Sequence, residues 1–388
     1  MRSAVARQTN VLFFVPGFGT GGPERMVEDL AARLDPGRFR SFACSLTGGL
    51  VGEAVAARGF PVYTLADAAN RQRPRAIGKL RAFRARVARL EALIERHAID
   101  VLHTHALVPL LHAALARRRA RRWRWVHTEQ VLPDLPGAYP RWVVPLGRWF
   151  LSRADVVAAA SDAVGAYVRE EAGVAADRVR VIYNCVDVER FGQRHDGAAK
   201  RRELSIPADA WVIGVVANLR PQKNHELLLR ALARLRPAAP NACLVLVGEG
   251  EQRERLEALA GELAIQDRVR FLGPRLDVPE LLATFDVYCL SSHYEGLPFS
   301  MLEAMAARKP VVATRVLGIR EIIRDAETGI LVEPDDPDAL CRALLRLRQD
   351  VALAEKLARA GRHYVETHAR LEQMVDGYAA LYTDGRVS

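Results

Sequence analysis

Short apolar runs alternate with segments of helical periodicity along almost the whole chain. Buried strands of a parallel sheet have this apolar character, and amphipathic crossover helices account for the segments between them. In the first half we predict strands near residues 10–16, 40–46, 61–65, 99–103, 123–127, 154–159 and 178–183. In the second half we predict strands near residues 211–217, 243–247, 268–272, 286–290 and 310–313. The pattern is typical of doubly wound α/β domains.

The length of the chain favours two such domains. At 388 residues it exceeds the size at which single hydrophobic cores stop growing. Residues 189–200 are polar and contain glycine, so we place the division there. The predicted domains are 1–190 and 191–365, and a last helical segment covers 366–388. Two Rossmann-like domains joined by one linker predict a central cleft that both sets of strand ends face.

Residues 286–321 are the most informative segment of the chain. An apolar run at 287–290 is followed by a Gly/Pro loop, a helix opened by Ser300 and a second apolar run at 310–313, which predicts a βαβ unit. Glu295 lies in the loop and Glu303 in the first turns of the helix. Open α/β sheets bind ligands at the carboxyl ends of their strands. The two carboxylates there can accept hydrogen bonds from sugar hydroxyls, beside a helix N-terminus that favours phosphate.

At these residues the chain resembles the retaining glycosyltransferases of family 4, which share a Glu-x7-Glu signature and the two-domain GT-B fold. The surrounding string Glu-Gly-Leu-Pro-x-x-x-Leu-Glu-Ala-Met-Ala-Ala carries the resemblance beyond the two glutamates. It implies a nucleotide diphosphate-sugar bound by the second domain and an acceptor that enters from the first. It also implies that Glu295 contacts the transferred sugar in catalysis and that Glu303 contacts the ribose. The other residues that it implies in sugar-donor binding are Gly21, Gly22, Asn218, Gly248, Gly296, Leu297, Phe299 and Ser300.

Two cations follow the predicted strand at 211–217. Arg220 and Lys223 precede a helix that we expect to begin near Glu226, and they can neutralise a departing diphosphate. The family usually has an arginine directly after a glycine at this strand end, a position that Asn218 occupies here. The resemblance therefore assigns a catalytic role to Lys223 and takes Arg220 as the substitute for the missing arginine. The alternative is that both are solvated residues at a helix start.

The first predicted strand ends in a glycine-rich loop, Pro-Gly-Phe-Gly-Thr-Gly-Gly-Pro-Glu-Arg-Met at residues 16–26. Glycines after a strand let the backbone approach a phosphate at the start of the next helix. The spacing does not match the dinucleotide fingerprint. It resembles the Gly-Gly-x-Glu-Arg loop of family 4, which faces the phosphates of the sugar donor and the acceptor. A plain glycine turn remains the alternative.

Several histidines of the first half follow predicted strands. Asp-Val-Leu-His-Thr-His at residues 100–105 resembles a family motif, and the next strand ends at His127. The resemblance implies that His127 is a catalytic residue near the transferred sugar. It implies that His105 and Asn184 lie on the acceptor side, and His103 is expected in the core. At the Asn184 motif the family has glycine where this chain has Cys185.

We expect an enzyme that needs no metal and no cofactor, the nucleotide sugar being a substrate. No Asp-x-Asp follows a predicted strand, and the aspartates of residues 335–338 are typical of a helix cap. His103 and His105 have no further ligand nearby, whereas zinc requires four. The leaving-group charge would then be neutralised by the cations of residues 220–223 and by helix N-termini.

Positive charge is concentrated in residues 71–125. This segment holds 15 Lys/Arg against 3 acids, an excess of +12, whereas the whole chain carries +10. The cations that fall mainly outside the apolar stripe of the predicted helix are Arg75, Lys79, Arg81, Arg84, Arg86 and Arg89. Arginines at 117–122 and the aromatic residues Trp123, Trp125, Tyr139, Trp142, Trp149 and Phe150 follow. Basic and aromatic residues favour anionic membrane surfaces, so we predict reversible attachment of the first domain. Trp123 and Trp125 are alternatively strand residues of the core.

The remaining features indicate a cytoplasmic protein. Five cysteines lie far apart, several within apolar runs, which indicates buried free thiols in a reducing compartment. The apolar run at 11–15 ends in Pro-Gly and reads as a first strand instead of a signal peptide. The expected location is the inner face of the cytoplasmic membrane.

Other functions fit parts of these observations. A nucleotide-sugar epimerase or a phosphorylase would keep the GT-B-like architecture and change the reaction. A nucleic-acid-binding α/β protein would explain the positive charge but not Glu295, Glu303 and Lys223 at predicted strand ends. The interpretation that covers all these residues is a glycosyltransferase of cell-surface polysaccharide or glycolipid synthesis, with a glycan or a lipid-linked acceptor and without nucleic acid as a partner.

Overall fold

The computed structural model describes residues 7–19, 21–66, 76–117, 123–130 and 144–383. The chain forms two compact units. The first unit comprises Met1–Tyr183 and Met374–Ser388, and the second is Asn184–Gln373. Each unit is built around a parallel sheet with helical connections, which confirms the predicted α/β class of two Rossmann-like domains.

The described part of the first unit contains a seven-stranded parallel sheet in the order β3-β2-β1-β4-β5-β6-β7. Its strands are β1 (Thr9–Gly17), β2 (Phe39–Thr47), β3 (Val62–Thr64), β4 (Val101–His105), β5 (Arg124–Glu129), β6 (Val156–Ala159) and β7 (Val179–Val181). All of them were predicted from apolar runs. The strand order reverses between β1 and β4, where sheets of this type form ligand sites.

The helices of the first unit connect these strands. They are α1 (Gly22–Arg33), α2 (Leu50–Ala57), α3 (Ala76–Arg96), α4 (Leu107–Ala116), α5 (Val144–Leu151) and α6 (Asp162–Glu170). Residues 11–15 of β1 are at most 1% exposed, because helices cover both faces of a parallel sheet. On one face Leu90 and Ile94 of α3 pack with Leu102 and Trp125 of the sheet.

The second unit contains a six-stranded parallel sheet, counted over its described residues, in the order β10-β9-β8-β11-β12-β13. Its strands are β8 (Trp211–Val216), β9 (Ala242–Val247), β10 (Val269–Phe271), β11 (Val287–Leu290), β12 (Val311–Thr314) and β13 (Ile330–Val332). The sequence did not predict β13, because three apolar residues between Gly329 and Glu333 give no periodicity. The order reverses between β8 and β11.

The helices of the second unit are α7 (Val188–Gly192), α8 (Gly197–Glu203), α9 (His225–Leu235), α10 (Arg253–Glu262), α11 (Val278–Thr284), α12 (Phe299–Ala306), α13 (Leu317–Arg320), α14 (Pro337–Gln349) and α15 (Val351–His368). The polar segment 189–200 was interpreted as a linker, which is wrong. Asp187 and Asp196 cap α7 and α8 with their side chains, and such caps stabilise even short polar helices. The predicted cap role in residues 335–338 is confirmed, because Asp336 accepts a hydrogen bond from the backbone N–H of Ala339.

The last helical segment, predicted over 366–388, contains the end of α15 and then α16 (Leu371–Thr383). From Met374 onward α16 belongs to the first unit. There Tyr378 and Tyr382 are at most 2% exposed and pack beside His103 of β4. The first unit thus takes part of its core from the end of the chain.

All five cysteines are buried and form no disulfide bond, as expected from their apolar surroundings. Of the helices formed by the described residues, none has the length and apolar character needed to cross a membrane.

Candidate active site

In the second unit, two of the predicted catalytic side chains are in direct contact. Nζ of Lys223, in the 3-10 turn after β8, lies 2.6 Å from Oε1 of Glu295, in the loop after β11. Glu295 is 6% exposed, and the hydroxyl of Ser292 donates a second hydrogen bond of 2.6 Å to the same oxygen. Because the strand order reverses between β8 and β11, the pair lies where open α/β sheets bind ligands.

Hydrogen bonds fix the two loops that carry this ion pair against each other. The side-chain amide of Gln222 donates to the carbonyl of Tyr294 at 2.9 Å, and the backbone N–H of His293 donates to the carbonyl of Gln222 at 2.8 Å. The hydroxyl of Ser291 donates to the carbonyl of Lys223 at 2.8 Å. Such support holds charged groups in position before a ligand arrives, which lowers the entropic cost of catalysis.

Arg220 has a different environment from Lys223. Its side chain is exposed, and no side-chain hydrogen bond or ion pair joins it to another described residue. Its backbone N–H donates to the carbonyl of Asn218 at 2.8 Å, within the loop after β8. The structure therefore brings Lys223 together with Glu295 and leaves Arg220 open to solvent at the same strand end.

The loop after β9 requires glycine because the backbone packs closely there. Gly248 has a φ of +141°, and a Cβ at this position would overlap the carbonyl oxygen of Ala217. A Cβ at Gly250 would overlap the carbonyl oxygen of Leu219 in the same way. The backbone of the β9 loop thus lies directly against the loop after β8, an arrangement that side chains would prevent.

Helices α1, α9 and α12 are among those that follow a strand end and begin without a side-chain hydrogen bond from the N-cap residue. Their N-cap residues are Gly21 for α1, Asn224 for α9 and Pro298 for α12. The backbone N–H groups of the first turn of a helix have no partner within that helix, and the helix dipole places positive potential on them. These helix starts can therefore receive the oxygens of an anionic ligand.

The second glutamate of the signature lies in α12. Glu303 is 7% exposed, and burial raises the pKa of the nearby Tyr288 phenol, which the charges of Glu295 and Glu303 raise further. Tyr288 therefore stays protonated, and its hydroxyl donates a hydrogen bond of 2.7 Å to Oγ of Ser300. The helix begins at Phe299, with Pro298 as its N-cap, and not at Ser300 as predicted.

The loop from Glu295 to α12 is also fixed from outside. Asn184, predicted on the acceptor side, belongs to the second unit and donates from its amide to the carbonyl of Leu297 at 2.7 Å. Gly318 in α13 packs against the backbone of Gly296 so closely that a Cβ there would overlap its carbonyl oxygen. Ser292 was not predicted as a site residue. Gly318 lies in Val-Leu-Gly-Ile-Arg-Glu at residues 316–321, a string that resembles a further turn of the family.

In the first unit, His127 is completely buried near the carboxyl end of β5. Its Nδ1 lies 2.9 Å from Oγ1 of Thr104, its register partner on β4. Its Nε2 has no hydrogen-bond partner among the described residues and lies 3.7 Å from Oε2 of Glu129.

His103 and His105 face the opposite side of the sheet from Thr104 and His127, because side chains alternate along a strand. Nδ1 of His103 lies 2.7 Å from the hydroxyl of Tyr382, and its Nε2 lies 2.7 Å from Oγ1 of Thr128. His103 is thus a core residue, as predicted. His105 is equally buried, and neither of its ring nitrogens has a partner in the described part of the chain.

The comparisons with known proteins cover both units. Residues 20–190 match the family model described as Glycosyltransferase Family 4, and residues 196–364 match the model described as Glycosyl transferases group 1. The D-inositol 3-phosphate glycosyltransferase of Acidothermus cellulolyticus is 34% identical over 326 residues, which cover 78% of this chain and 71% of that protein. The chain belongs to glycosyltransferase family 4.

The relatives of this chain are named after different compounds. The GDP-mannose-dependent alpha-(1-6)-phosphatidylinositol monomannoside mannosyltransferase of Mycolicibacterium smegmatis is 30% identical over 311 residues, 75% of this chain and 80% of that protein. Among solved structures, Anabaena HepE in complex with UDP-glucose superposes with a TM-score of 0.85 and 24% identity, over 97% of this chain and 100% of that one. The likeness to HepE shows that the two share the GT-B fold.

Part of the basic segment of this family 4 chain has structural partners. Arg89 donates to the carbonyl of Leu65 at 2.7 Å, and Arg117 pairs with Asp155 at 2.7 Å. Trp123 and Trp125 are 4% and 0% exposed, so they belong to the core and not to an interface. Residues 67–75, 118–122 and 131–143, with Arg75, Tyr139 and Trp142, lie outside the described residues, as does the side chain of Lys79.

Two buried histidines should destabilise this glycosyltransferase in acid. Burial lowers the pKa of His105 and of His225 to about 3, and the charges of His127 and Lys223, respectively, lower them further. In the unfolded chain an imidazole titrates near pH 6.5. The unfolded state therefore binds more protons between about pH 6.5 and pH 3, and stability is lost as the pH falls through this window. The slope is at most about 1.4 kcal/mol per pH unit for each histidine.

Urea denaturation at a series of pH values measures this dependence. His225→Gln should reduce the slope below pH 6.5, because the titrating group is removed. His363→Gln, at an exposed position of α15, should leave the slope unchanged. Equal slopes for His225→Gln and the unsubstituted protein would show that His225 does not titrate on unfolding.

Proposed function

We propose that the protein is a retaining glycosyltransferase that moves a sugar from a nucleotide diphosphate-sugar to a glycan or a lipid-linked acceptor. The observation that carries the proposal is the pair of Lys223 and Glu295, held 2.6 Å apart at the strand ends of the second unit with Glu303 in the following helix. A cation for phosphate oxygens and a buried carboxylate for sugar hydroxyls are adjacent there. HepE, which shares the fold, was solved with UDP-glucose, and this supports a sugar donor of that class.

Each of the site residues has a separate role in this proposal. Lys223, Arg220 and the open N-termini of α9 and α12 stabilise negative charge as the diphosphate departs, in a transition state with oxocarbenium character. Glu295 binds the hydroxyls of the transferred sugar. Glu303 binds the ribose. His127, in the first unit, takes part in the transfer step.

The anomeric configuration of the sugar is then retained because the displacement takes place on one face of the sugar ring. The acceptor hydroxyl attacks the anomeric carbon on the side from which the diphosphate leaves, and a phosphate oxygen takes its proton. Protein cations and helix N-termini supply the charge stabilisation, so the reaction proceeds without a metal and without a cofactor.

Nucleotide binding and product analysis test the proposal. One of UDP, GDP and ADP should raise the thermal stability of the protein by mass action, and the matching nucleotide sugar should then serve in transfer assays. The product should keep the anomeric configuration of the sugar donor, which NMR determines. An inverted product would refute retention, and stabilisation by none of the three diphosphates would refute the donor class.

Transfer should continue at an unchanged rate in the presence of EDTA. The reason is that Lys223 and the helix N-termini supply the positive charge that stabilises the departing diphosphate. The assay is initial rate against chelator concentration, with Mg²⁺ and Mn²⁺ added back. Loss of turnover that either ion restores would refute metal independence.

We place the reaction in cell-surface polysaccharide or glycolipid synthesis, at the inner face of the cytoplasmic membrane. The M. smegmatis relative is named for a phosphatidylinositol mannoside, which supports an amphiphilic acceptor. In the first unit, Arg81 and Arg84 of α3 are exposed, and Leu146 and Trp149 of α5 are 42% and 49% exposed. Cations with exposed apolar side chains suit an anionic lipid surface.

Co-sedimentation with liposomes should show binding to anionic vesicles and not to neutral ones, weakened by high salt. Charge reversal by Arg81→Glu with Arg84→Glu should lower this binding more than about tenfold, since each basic residue near the surface contributes about 1 kcal/mol. Arg342→Glu with Arg359→Glu makes the same charge change at exposed positions of the second unit and should have little effect. Equal binding to both vesicle types, or to neither, would reject the membrane role.

A further inference from the structure

Thr104 joins two aromatic side chains of β5 in a buried chain of hydrogen bonds. The indole N–H of Trp125 donates to Oγ1 of Thr104 at 2.9 Å. The same oxygen lies 2.9 Å from Nδ1 of His127. All three side chains are completely buried, so water does not compete for these bonds.

The distances from Oγ1 of Thr104 to its two acceptors indicate the direction of the second bond. An indole N–H can only donate, so Oγ1 of Thr104 accepts from Trp125. The single hydroxyl hydrogen of Thr104 then has two acceptors in reach, Nδ1 of His127 at 2.9 Å and the carbonyl of Val126 at 3.5 Å. Hydrogen bonds donated by hydroxyls have donor–acceptor distances of about 2.5–3.0 Å, so the hydroxyl points at Nδ1.

In a neutral imidazole one nitrogen accepts and the other carries the hydrogen. With Nδ1 accepting from Thr104, the hydrogen of His127 resides on Nε2. The environment of Nε2 agrees, because Oε2 of Glu129 lies 3.7 Å away and a carboxylate attracts an N–H. Both sides of the ring therefore favour the same tautomer.

We infer that Trp125 and Thr104 are positioning residues that hold His127 in its Nε2–H tautomer. His127 then presents an N–H donor to an oxygen of the bound substrate and does not act as a base through Nε2. The functional part of this inference depends on the proposed role of His127 in transfer. The tautomer itself depends only on the contacts of β4 and β5.

NMR of the intact protein labelled with ¹⁵N-histidine tests the tautomer directly. The His127 signals can be assigned by their loss in His127→Gln. At a pH at which the ring is neutral, Nε2 should show the shift of a protonated ring nitrogen and Nδ1 that of an unprotonated one. A protonated Nδ1 would overturn the inference whatever the activity of the enzyme.

Variants of Thr104 test its positioning role. Thr104→Val keeps the shape and removes the hydroxyl, so the Nδ1 signal of His127 should move as its hydrogen bond is lost. The rate constant kcat of transfer should fall about tenfold with little change in the KM of the nucleotide sugar. Thr104→Ser keeps the hydroxyl and should restore both the Nδ1 signal and kcat.

The outcomes separate the inference from the proposed function. An Nδ1 signal that is the same in Thr104→Val and in the unsubstituted protein would refute the hydrogen bond. If His127→Gln transfers sugar at the normal rate while the tautomer is found as inferred, the proposed role of His127 fails and the inferred tautomer stands. Circular dichroism and thermal melting of each variant show whether it is folded.

Discussion

Alanine at Lys223 should weaken the binding of the nucleoside diphosphate by about ten- to a hundredfold. A hydrogen bond to a charged group contributes about 1.5–3 kcal/mol, and Lys223 is the cation that the β8 loop holds nearest to Glu295. The substitution also removes the cation that pairs with the carboxylate of Glu295, a side chain that is only 5% exposed. Removing one partner of a buried pair costs stability, so the variant should melt at a lower temperature.

Calorimetric titration with UDP, GDP or ADP, whichever binds the unsubstituted protein, measures the effect. Glu303→Ala should weaken the same binding if Glu303 contacts the ribose. His127→Ala should lower the rate of transfer and leave the affinity for the diphosphate nearly unchanged. Lys356→Ala, in α15, removes a lysine without touching these loops and serves as the matched control.

A double-substitution cycle separates the ligand effect from the ion pair. Glu295→Gln keeps the shape of the side chain and removes its charge, so the stability lost in Lys223→Ala should be smaller in its presence. Affinity for the diphosphate should still fall when Lys223 is removed from Glu295→Gln. Unchanged affinity in both Lys223→Ala and Glu303→Ala would remove the assignment of the sugar-donor site to these loops.

Alanine at Gly318 should destabilise the second unit by about 3 kcal/mol or shift the loop that carries Glu295. The added Cβ would overlap the carbonyl oxygen of Gly296 and would lie 2.8 Å from the carbonyl oxygen of Glu295. Both obstacles are backbone atoms, which cannot rotate away as a side chain does, and overpacking of this kind costs about 1–3 kcal/mol or more. If the backbone yields instead, a displacement of the Glu295 loop by about 1 Å should lower kcat by about a hundredfold.

Gly261→Ala is the matched control, since it adds the same methyl group to a helix of the same unit. A Cβ at Gly261 in α10 has no heavy atom within 4 Å, and alanine is favoured over glycine within a helix by up to about 1 kcal/mol. This variant should be as stable as the unsubstituted protein or slightly more stable. Urea denaturation and transfer kinetics of both variants give the comparison, and normal stability with normal kcat in Gly318→Ala would contradict the close packing.

The sequence determined most of the architecture, because parallel strands buried on both faces appear as short apolar runs between glycine and proline. Each of the predicted strands is present, and Lys223, Glu295 and Glu303 were selected from their places after such runs. The residues of a helix cap were also recognisable from the local sequence, since the aspartates before α14 predicted its cap.

The local sequence pattern did not predict the secondary structure where that structure depends on neighbouring strands or on side-chain caps. The three residues of β13 are too few for a periodic pattern, and they form a strand because β12 offers an unpaired edge. The polar segment at 189–200 lacks an apolar stripe, yet side-chain caps make two short helices of it. The sequence left two interpretations open for Trp123 and Trp125, and the structure places both in the core, at the start of β5.

Only the tertiary structure decided which side chains meet. Lys223 and Glu295 form their ion pair across 72 positions of the chain, and Tyr382 reaches His103 across 279. Periodicity reports whether a residue is buried, and it carries no information about which distant segment covers that residue. The sequence alone therefore determined the sheets, the loops and the candidate residues. The contacts that position the side chains of Glu295 and His127 exist only in the folded chain, because strand order and register place their partners there.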